Sequence, residues 1–215
     1  MKFRSPLKKP DVETLIYDHG YDLILELDFN DMIPFVLKSI KRKSALSIIY
    51  AGINLALLLF IAFYLINGIK SVSLAWGPVL RQILTGIFAG TILIIPIHEL
   101  LHGLVYRILG AKKIRFGTDL QQFIFFVTAD RFPVSGREII YLALTPFTAI
   151  NIITIFIIVT WFPHLMLFSL FLLLSHNMMC IGDFAMVNYV MQGNKRIYNY
   201  DVVDERKSYF YRVLF

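Results

Sequence analysis

The stretch Ile94-Ile-Pro-Ile-His-Glu-Leu-Leu-His-Gly103 lies inside a long apolar segment, which we expect to form a helix. Side chains four residues apart share one face of a helix, with their Cβ atoms about 5–6 Å apart. His98 and His102 can therefore bind one metal ion from successive turns. Glu99 lies beside that face, where its carboxylate can reach a water molecule on the ion. The stretch thus predicts a metal site within an apolar helix.

The pattern of His98, Glu99 and His102 is typical of zinc metalloproteases, in which the two histidines bind zinc and the glutamate is the general base. A coincidental match is the alternative interpretation. The apolar surroundings make coincidence less plausible, because an ionisable side chain is costly inside a membrane and usually serves a function there.

The composition is that of a membrane protein. Of the 215 residues, 57% are hydrophobic and 17% are charged, and the mean hydropathy is +0.66, which is too apolar for an ordinary soluble domain. The first 43 residues are polar and basic, so we expect no cleavable signal peptide. The single cysteine, Cys180, excludes an internal disulfide and a zinc site built from several cysteines.

Four apolar runs approach or exceed the roughly 20 residues that are needed to cross a bilayer. We therefore expect an all-α polytopic membrane protein with four transmembrane helices, at about residues 44–66, 79–109, 138–159 and 165–191. The second is longer than a bilayer requires, so it is tilted, kinked near Pro96 or projects from the membrane. We divide the chain into a cytosolic N-terminal segment, a four-span domain with the zinc motif and a cytosolic tail, at residues 1–43, 44–192 and 193–215. The tail should lie along the membrane surface.

Short β-strands are expected before the first predicted span and after the second. Val12–Tyr17 and Tyr21–Phe29 could be two strands, and an amphipathic helix could follow from Asn30 or Asp31. A floppy tail is the alternative for this N-terminal segment. After the motif helix, Lys113–Phe116 and Gln122–Thr128 read as the strands of a small cytoplasmic β-hairpin with a turn at 117–119. A simple connecting loop is the alternative to the hairpin.

The basic residues indicate the orientation. All Lys and Arg residues except Lys70 and Arg81 lie in the N-terminal segment, in the region 107–137 or in the tail. Since Lys and Arg accumulate on the cytoplasmic side, both termini and the hairpin should lie there, in a multi-pass protein of the cell membrane. The net charge of +6 then reflects contact with the lipid bilayer, and we expect no nucleic acid partner.

Among 15 acidic residues, only Glu99 and Asp183 lie deep within the predicted spans. Both should lie about 12–15 Å from the cytoplasmic side, at ~1.5 Å of rise per residue. With His98 and His102 they can assemble a three-ligand zinc site that keeps an open position. A hydrogen bond between helices is the alternative role for Asp183. His176 would lie about 10 Å from Asp183 on a straight helix, too far to share its ion, and is either a supporting residue or a buried core histidine.

Two amides, Asn151 and Asn177, also lie within predicted spans. They could position a substrate or an oxyanion, or they could simply join neighbouring helices by hydrogen bonds.

The order of several motifs resembles a bacterial family of zincin membrane peptidases over about residues 80–190. The motifs are His98–Gly103, the strand Lys113–Gly117, a second strand, Leu144–Phe147 and Gly182-Asp183. The plan is more distantly similar to the site-2-protease intramembrane metalloproteases. This resemblance implies that Asp183 is the third zinc ligand and that the β structure holds the substrate as an added strand. This sequence departs from the site-2 pattern in two ways. In that pattern Gly follows the Asp, whereas here Gly182 precedes Asp183. The pattern also has an upstream Asn accompanied by Pro, whereas Asn177 has no Pro.

The expected function is hydrolysis of peptide bonds near the cytoplasmic side of the membrane, with Zn²⁺ as cofactor and a membrane protein or peptide as substrate. The expected substrate-binding residues are Gln122, Phe123, Ile124, Phe125, Asn151 and Asn177. A non-proteolytic membrane protein that binds metal as a scaffold or chaperone is the alternative. The sequence leaves the oligomeric state open.

Overall fold

The computed structural model describes residues 9–42, 44–70, 76–119, 124–193 and 196–214. The helices are α1 Val12–Tyr17, α2 Met32–Ile40, α3 Ala45–Lys70, α4 Trp76–Phe88, α5 Ile95–Ile108, α6 Gly136–Thr160, α7 Met166–Met179 and α8 Ile181–Gln192. The strands are β1 Tyr21–Asp28, β2 Ile114–Asp119, β3 Ile124–Ala129, β4 Val134–Ser135, β5 Ile197–Val202 and β6 Lys207–Val213.

Three helical segments of this described part are long and apolar enough to cross a membrane, namely Ala45–Gly68, Trp76–Ile108 and Gly136–Thr160. A fourth is present if the bent pair Pro163–Met179 and Ile181–Gln192 counts as one span. Of the four apolar helices that we expected, three are therefore confirmed, and the fourth is present only as this bent pair. The fourth is not the continuous helix that we expected, because it bends by 44° where Cys180, with ψ of 3°, separates α7 from α8.

The helical segment that carries the motif departs from α-helical geometry just before the motif. A π-helical turn, Ala89–Leu93, joins α4 to α5, and Pro96 occupies the first turn of α5. Proline fits there because a first-turn residue has no helical partner for its N–H. Upstream, a Cβ on Gly86 or Gly90 would lie 2.4 Å from a carbonyl oxygen of α7, so only glycine permits this close packing of α4 on α7.

The hairpin after the motif helix is confirmed, since β2 pairs with β3 in antiparallel register. The predicted turn at 117–119 is wrong, because these residues are paired within β2. Gly117 lies opposite Phe126, whose ring covers the space that a Cβ would fill. The hairpin packs on α5 immediately after the motif, where a Cβ on Gly103 would contact Val127 at 3.5 Å.

A second sheet, which the sequence analysis did not predict, has the strand order β1-β6-β5-β4. Its strands β5 and β6 come from the C-terminal segment, for which we predicted no strands. Strand β1 pairs with β6, and β4 pairs with β5 beside the start of α6. The sheet therefore joins the two ends of the chain to the residues that lead into the third apolar helix.

The segment Val12–Tyr17 forms α1 and not the strand that we expected. Asp11 caps this helix, because its side chain accepts a hydrogen bond from the main-chain N–H of Thr14 at 2.8 Å. Leu15 is fully buried and packs on the aromatic face of the second sheet. The second predicted strand and the helix after it are confirmed as β1 and α2.

Candidate active site

The motif histidines project from successive turns of α5 toward the start of α8. The Nε2 atoms of His98 and His102 lie 3.0 Å apart. Asp183, in the first turn of α8, places one carboxylate oxygen 3.3 Å from Nε2 of His98 and the other 3.4 Å from Nε2 of His102. The bend after α7 thus brings a carboxylate from a separate helix onto the histidine pair.

These distances fit a zinc ion. Zinc bonds of about 2.0–2.2 Å to nitrogen and oxygen, at tetrahedral angles, separate the ligand atoms by about 3.3–3.5 Å. The three distances of 3.0, 3.3 and 3.4 Å lie close to that range. Two imidazoles and one carboxylate are also a donor set that zinc accepts, and three protein ligands leave one tetrahedral position open for reaction.

The other ring nitrogens of the histidines have protein partners as well. Nδ1 of His102 lies 2.9 Å from the main-chain oxygen of Leu142 on α6. A carbonyl can only accept, so Nδ1 carries the proton and Nε2 keeps a lone pair for a metal. Nδ1 of His98 lies 3.1 Å from Nε2 of His176 on α7. Both rings are therefore held with Nε2 directed at Asp183.

Glu99 lies between the hairpin and the candidate metal-binding group, which consists of His98, His102 and Asp183. Its carboxylate accepts a hydrogen bond from the main-chain N–H of Val127 in β3. Its Oε2 atom is buried and has no protein partner among the residues that the structure describes. A buried acceptor of this kind normally has a partner, so it is suited to a water molecule beside the metal-binding group.

A cavity of about 470 Å³ contains these groups. Its walls come from α2, the end of the π-helical turn, α5, β3, α6 and the segment around α8, and are mostly apolar. A cavity of this size and character is typical of sites that enclose an organic ligand. Strand β3 contributes four consecutive residues to the wall, Phe125–Thr128.

The register of the hairpin shows which main-chain groups of β3 point away from β2. Asp130 donates its main-chain N–H to the oxygen of Lys113 at 3.2 Å. Because hydrogen-bonded pairs alternate along an antiparallel ladder, Thr128 and Phe126 also face β2. The main-chain groups of Val127 and Phe125 then face the opposite edge, in agreement with the bond from Val127 to Glu99.

Polar groups of the second sheet line the other end of the cavity. Asp201 accepts hydrogen bonds from the hydroxyls of Thr128 and Ser208. Burial raises the pKa of the Asp201 carboxyl, because it disfavours the charged form, and the neighbouring Asp130 raises it further. This carboxylate connects the hairpin to the four-stranded sheet.

The structure brings together only some of the expected substrate-binding residues. Phe125 lines the cavity, and Ile124 belongs to β3. Gln122 and Phe123 lie outside the described residues. Asn151 donates to the side-chain oxygen of Asn177 at 2.8 Å, and neither amide belongs to the cavity wall. This bond between α6 and α7 matches the alternative role that the sequence left open for the two amides.

Two contacts of the site were missed from the sequence. His176 was assigned a distance from Asp183 that holds for a straight helix, but the bend places it against His98. Cys180 lies 3.5 Å from Nε2 of His176, four residues away on α7. The spacing of His176 and Cys180 was the available signal, since residues at i and i+4 share a helix face.

The comparisons with known proteins indicate the family to which the chain belongs. Residues 91–198, about half of the chain, match the model of a family described as "Putative zincin peptidase", and the chain belongs to that family. The matched range contains α5, the hairpin, α6, α7 and α8, and thus every residue of the metal-binding group. The family description indicates a zinc metallopeptidase. No curated protein and no solved structure matches the chain.

Proposed function

We propose that this protein is a membrane-embedded zinc metalloendopeptidase that cleaves peptide bonds near the cytoplasmic side of the membrane. The observation that carries the proposal is the convergence of His98, His102 and Asp183, with an unpartnered oxygen of Glu99 beside them in one cavity. The family match supports the same class of enzyme.

The three ligands would hold a zinc ion, which supplies a Lewis acid that acidifies a water molecule and polarises the scissile carbonyl. Glu99 takes a proton from the attacking water and later delivers it to the nitrogen of the leaving amine. The N–H of Val127 holds one oxygen of Glu99 in place, which leaves Oε2 for the proton transfer. The carbonyl of Leu142 keeps His102 in the tautomer that ligation requires.

The substrate binds in an extended conformation, since the peptide bonds of a helix are shielded by their own hydrogen bonds. The N–H of Val127 is bonded to Glu99, so the free edge of β3 offers the N–H and C=O of Phe125 and the C=O of Val127. An extended peptide can pair with such an edge as an added strand. Pairing there would place the peptide between the hairpin and the metal-binding group. Such pairing is also what the distant resemblance to the site-2 proteases implies.

The membrane setting is supported by the surface of the apolar helices. Large apolar side chains on α3 and α6 are strongly exposed, including Leu59 at 62%, Phe63 at 64% and Ile152 at 62%. Contiguous apolar surface of this kind suits lipid rather than water. The concentration of Lys and Arg in the N-terminal segment, the hairpin region and the tail supports cytoplasmic placement of both termini and of the hairpin.

The substitution Glu99→Gln tests the proposed function. The amide keeps the shape of the side chain but cannot accept the proton, so cleavage should fall by roughly 10²–10⁴-fold. Membranes from cells that express the wild-type protein or this variant should be compared by proteomics to find the substrate, whose cleavage is then measured with purified protein. Glu13→Gln, at an exposed glutamate of α1, is the matched control and should cleave normally.

Equal cleavage by Glu99→Gln and wild type would remove Glu99 from the mechanism. A wild-type protein that holds zinc but cleaves nothing in either experiment would favour the alternative of a metal-binding scaffold or chaperone.

A further inference from the structure

A second group of metal-binding atoms lies on the side of His98 that faces away from Asp183. Nδ1 of His98, Nε2 of His176 and Sγ of Cys180 converge there. The two nitrogens are 3.1 Å apart, and the sulfur lies 3.5 Å from His176 and 3.9 Å from His98. The proposed hydrolysis has no use for the thiol of Cys180.

The bend between α7 and α8 creates this group. His176 and Cys180 lie four residues apart at the end of α7, so both side chains project from one face toward α5. They are almost completely buried, with exposed fractions of 1% and 0%. His98 and His176 belong to the cavity wall, whereas Cys180 lies behind it, between two residues that do line the cavity, Met179 and Ile181.

The spacing suits a tetrahedral ion that has a sulfur ligand. For zinc, bonds of about 2.3 Å to sulfur and 2.0 Å to nitrogen, at tetrahedral angles, separate the two ligand atoms by about 3.5 Å, and the larger cadmium ion separates them somewhat more. The distance between Cys180 and His176 is 3.5 Å. A thiolate with two imidazoles is also softer than the set of His98, His102 and Asp183, so the two groups should prefer different ions.

We propose that His98, His176 and Cys180 form a second, thiolate-containing site for a thiophilic divalent cation such as cadmium, and that occupation of this site excludes the catalytic zinc. When the cation binds, the thiol of Cys180 loses its proton to solvent, and no oxidation occurs. Exclusion follows from the shared histidine. A neutral imidazole has one unprotonated nitrogen, so His98 can use Nε2 for zinc or Nδ1 for the second ion, but not both.

The exclusion rests on the proposed function, because it assigns Nε2 of His98 to the catalytic ion. The second site by itself does not depend on that assignment. A thiophilic cation would thus inhibit the enzyme by withdrawing His98 from the group that activates water.

The test uses full-length protein in detergent, loaded with ¹¹³Cd²⁺ and examined by ¹¹³Cd NMR and metal analysis. Wild type should bind one cadmium per chain, with a chemical shift in the range of thiolate ligation, and saturating cadmium should expel bound zinc. In Cys180→Ser the resonance should move to the range of nitrogen and oxygen ligands. The preference for cadmium over zinc should fall at least about tenfold.

Three results would overturn the proposal: a wild-type resonance outside the thiolate range, an identical resonance in Cys180→Ser, or cadmium and zinc bound together on one chain. The wild-type spectrum decides the first of these even if the buried variant fails to fold, and His176→Asn is a second variant that should lower cadmium affinity. In His102→Ala the thiolate resonance should persist while zinc binding is lost. Zinc retained in that variant would contradict the assignment of the catalytic ligands, but it would not contradict the cadmium site.

Discussion

Asp201 is the residue on which the connection between the hairpin and the four-stranded sheet depends. It accepts hydrogen bonds from Thr128 in β3 and Ser208 in β6. Burial raises its pKa, and these bonds only partly oppose the shift. When the pKa of a carboxyl is higher in the folded than in the unfolded protein, its protonation favours the folded state. This contribution to stability is complete at a pH below the pKa of the unfolded protein, and it is lost as the pH rises through the pKa of the folded protein.

The pH dependence of stability should therefore change in Asp201→Asn. The amide is neutral at all pH values, so the variant lacks the cost of a buried charge near pH 7. As the pH falls from 7 toward about 4, close to the unfolded pKa of aspartate, wild type should gain stability relative to the variant. Thermal unfolding of both proteins across this range measures the difference. A loss of relative stability on acidification would show that the charged form stabilises the fold.

Single residues of the candidate site were predictable where the chemistry is local. The spacing of His98 and His102 on one helix is visible in the sequence, and the position of Asp183 within a predicted span singled it out as their partner. The contact between His176 and His98 was not predictable, because it depends on a bend at Cys180 that no proline marks. The hydrogen bond from Val127 to Glu99 depends on strand register, which short sequence patterns do not determine.

At the scale of elements, the two edges of strand β3 have different roles. Phe126 and Thr128 face β2 and hold the hairpin together, whereas the main-chain groups of Phe125 and Val127 face the free edge. A proline removes one N–H, and its effect therefore depends on which edge loses the donor. The effect of a proline should therefore alternate from one residue of β3 to the next.

The variant Phe125→Pro should keep the β2–β3 ladder but lose cleavage by about tenfold or more, the cost of roughly one hydrogen bond to the substrate. Phe125→Ala removes the same side chain and keeps the N–H, so it isolates the main-chain contribution. Phe126→Pro should instead lower the thermal stability, because it removes a ladder donor. Cleavage and unfolding temperature are measured for all three. Equal cleavage by the proline and alanine variants at 125 would mean that the substrate does not pair with this edge.

The elements themselves were predictable to different degrees. Length and hydropathy indicated the apolar helices, alternation indicated β1, and a segment rich in Phe, Ile and Val next to turn residues indicated the hairpin. Helix α1 was mistaken for a strand because its apolar residues are few and its Asp11 cap was not recognised. Strands β5 and β6 carry alternating aromatic residues that could have indicated them, but their pairing with β1 joins opposite ends of the chain and is invisible in local sequence.

At the scale of the whole molecule, the four-stranded sheet gathers segments from before the first apolar helix and after the last. The sheet borders the same cavity as the metal-binding group. If the apolar helices span the membrane as proposed, the sheet and the hairpin lie on one side, with most of the basic residues. On the opposite side of the membrane, the sequence places Lys70 just before the connection between the first and second apolar helices.

Labelling of single cysteines tests this topology. Variants with a cysteine at position 70, 113 or 207, in a chain with Cys180→Ser, should be treated in intact cells with a thiol reagent that does not cross the membrane. Position 70 should react, and positions 113 and 207 should react only after lysis, because the positive-inside rule places them in the cytoplasm. Labelling of position 113 in intact cells would reverse the proposed orientation.

The central claim, that a zinc ion held by His98, His102 and Asp183 works with Glu99 as the base, is tested most directly by metal content. Asp183→Asn and Glu99→Gln are matched, since each replaces one buried carboxylate by its amide. Purified Glu99→Gln should retain about one zinc per chain, the stoichiometry of a mononuclear catalytic site, whereas Asp183→Asn should retain markedly less. Full zinc in folded Asp183→Asn would contradict the assignment of Asp183 as a ligand, and lost zinc in folded Glu99→Gln would show that Glu99 binds the metal itself.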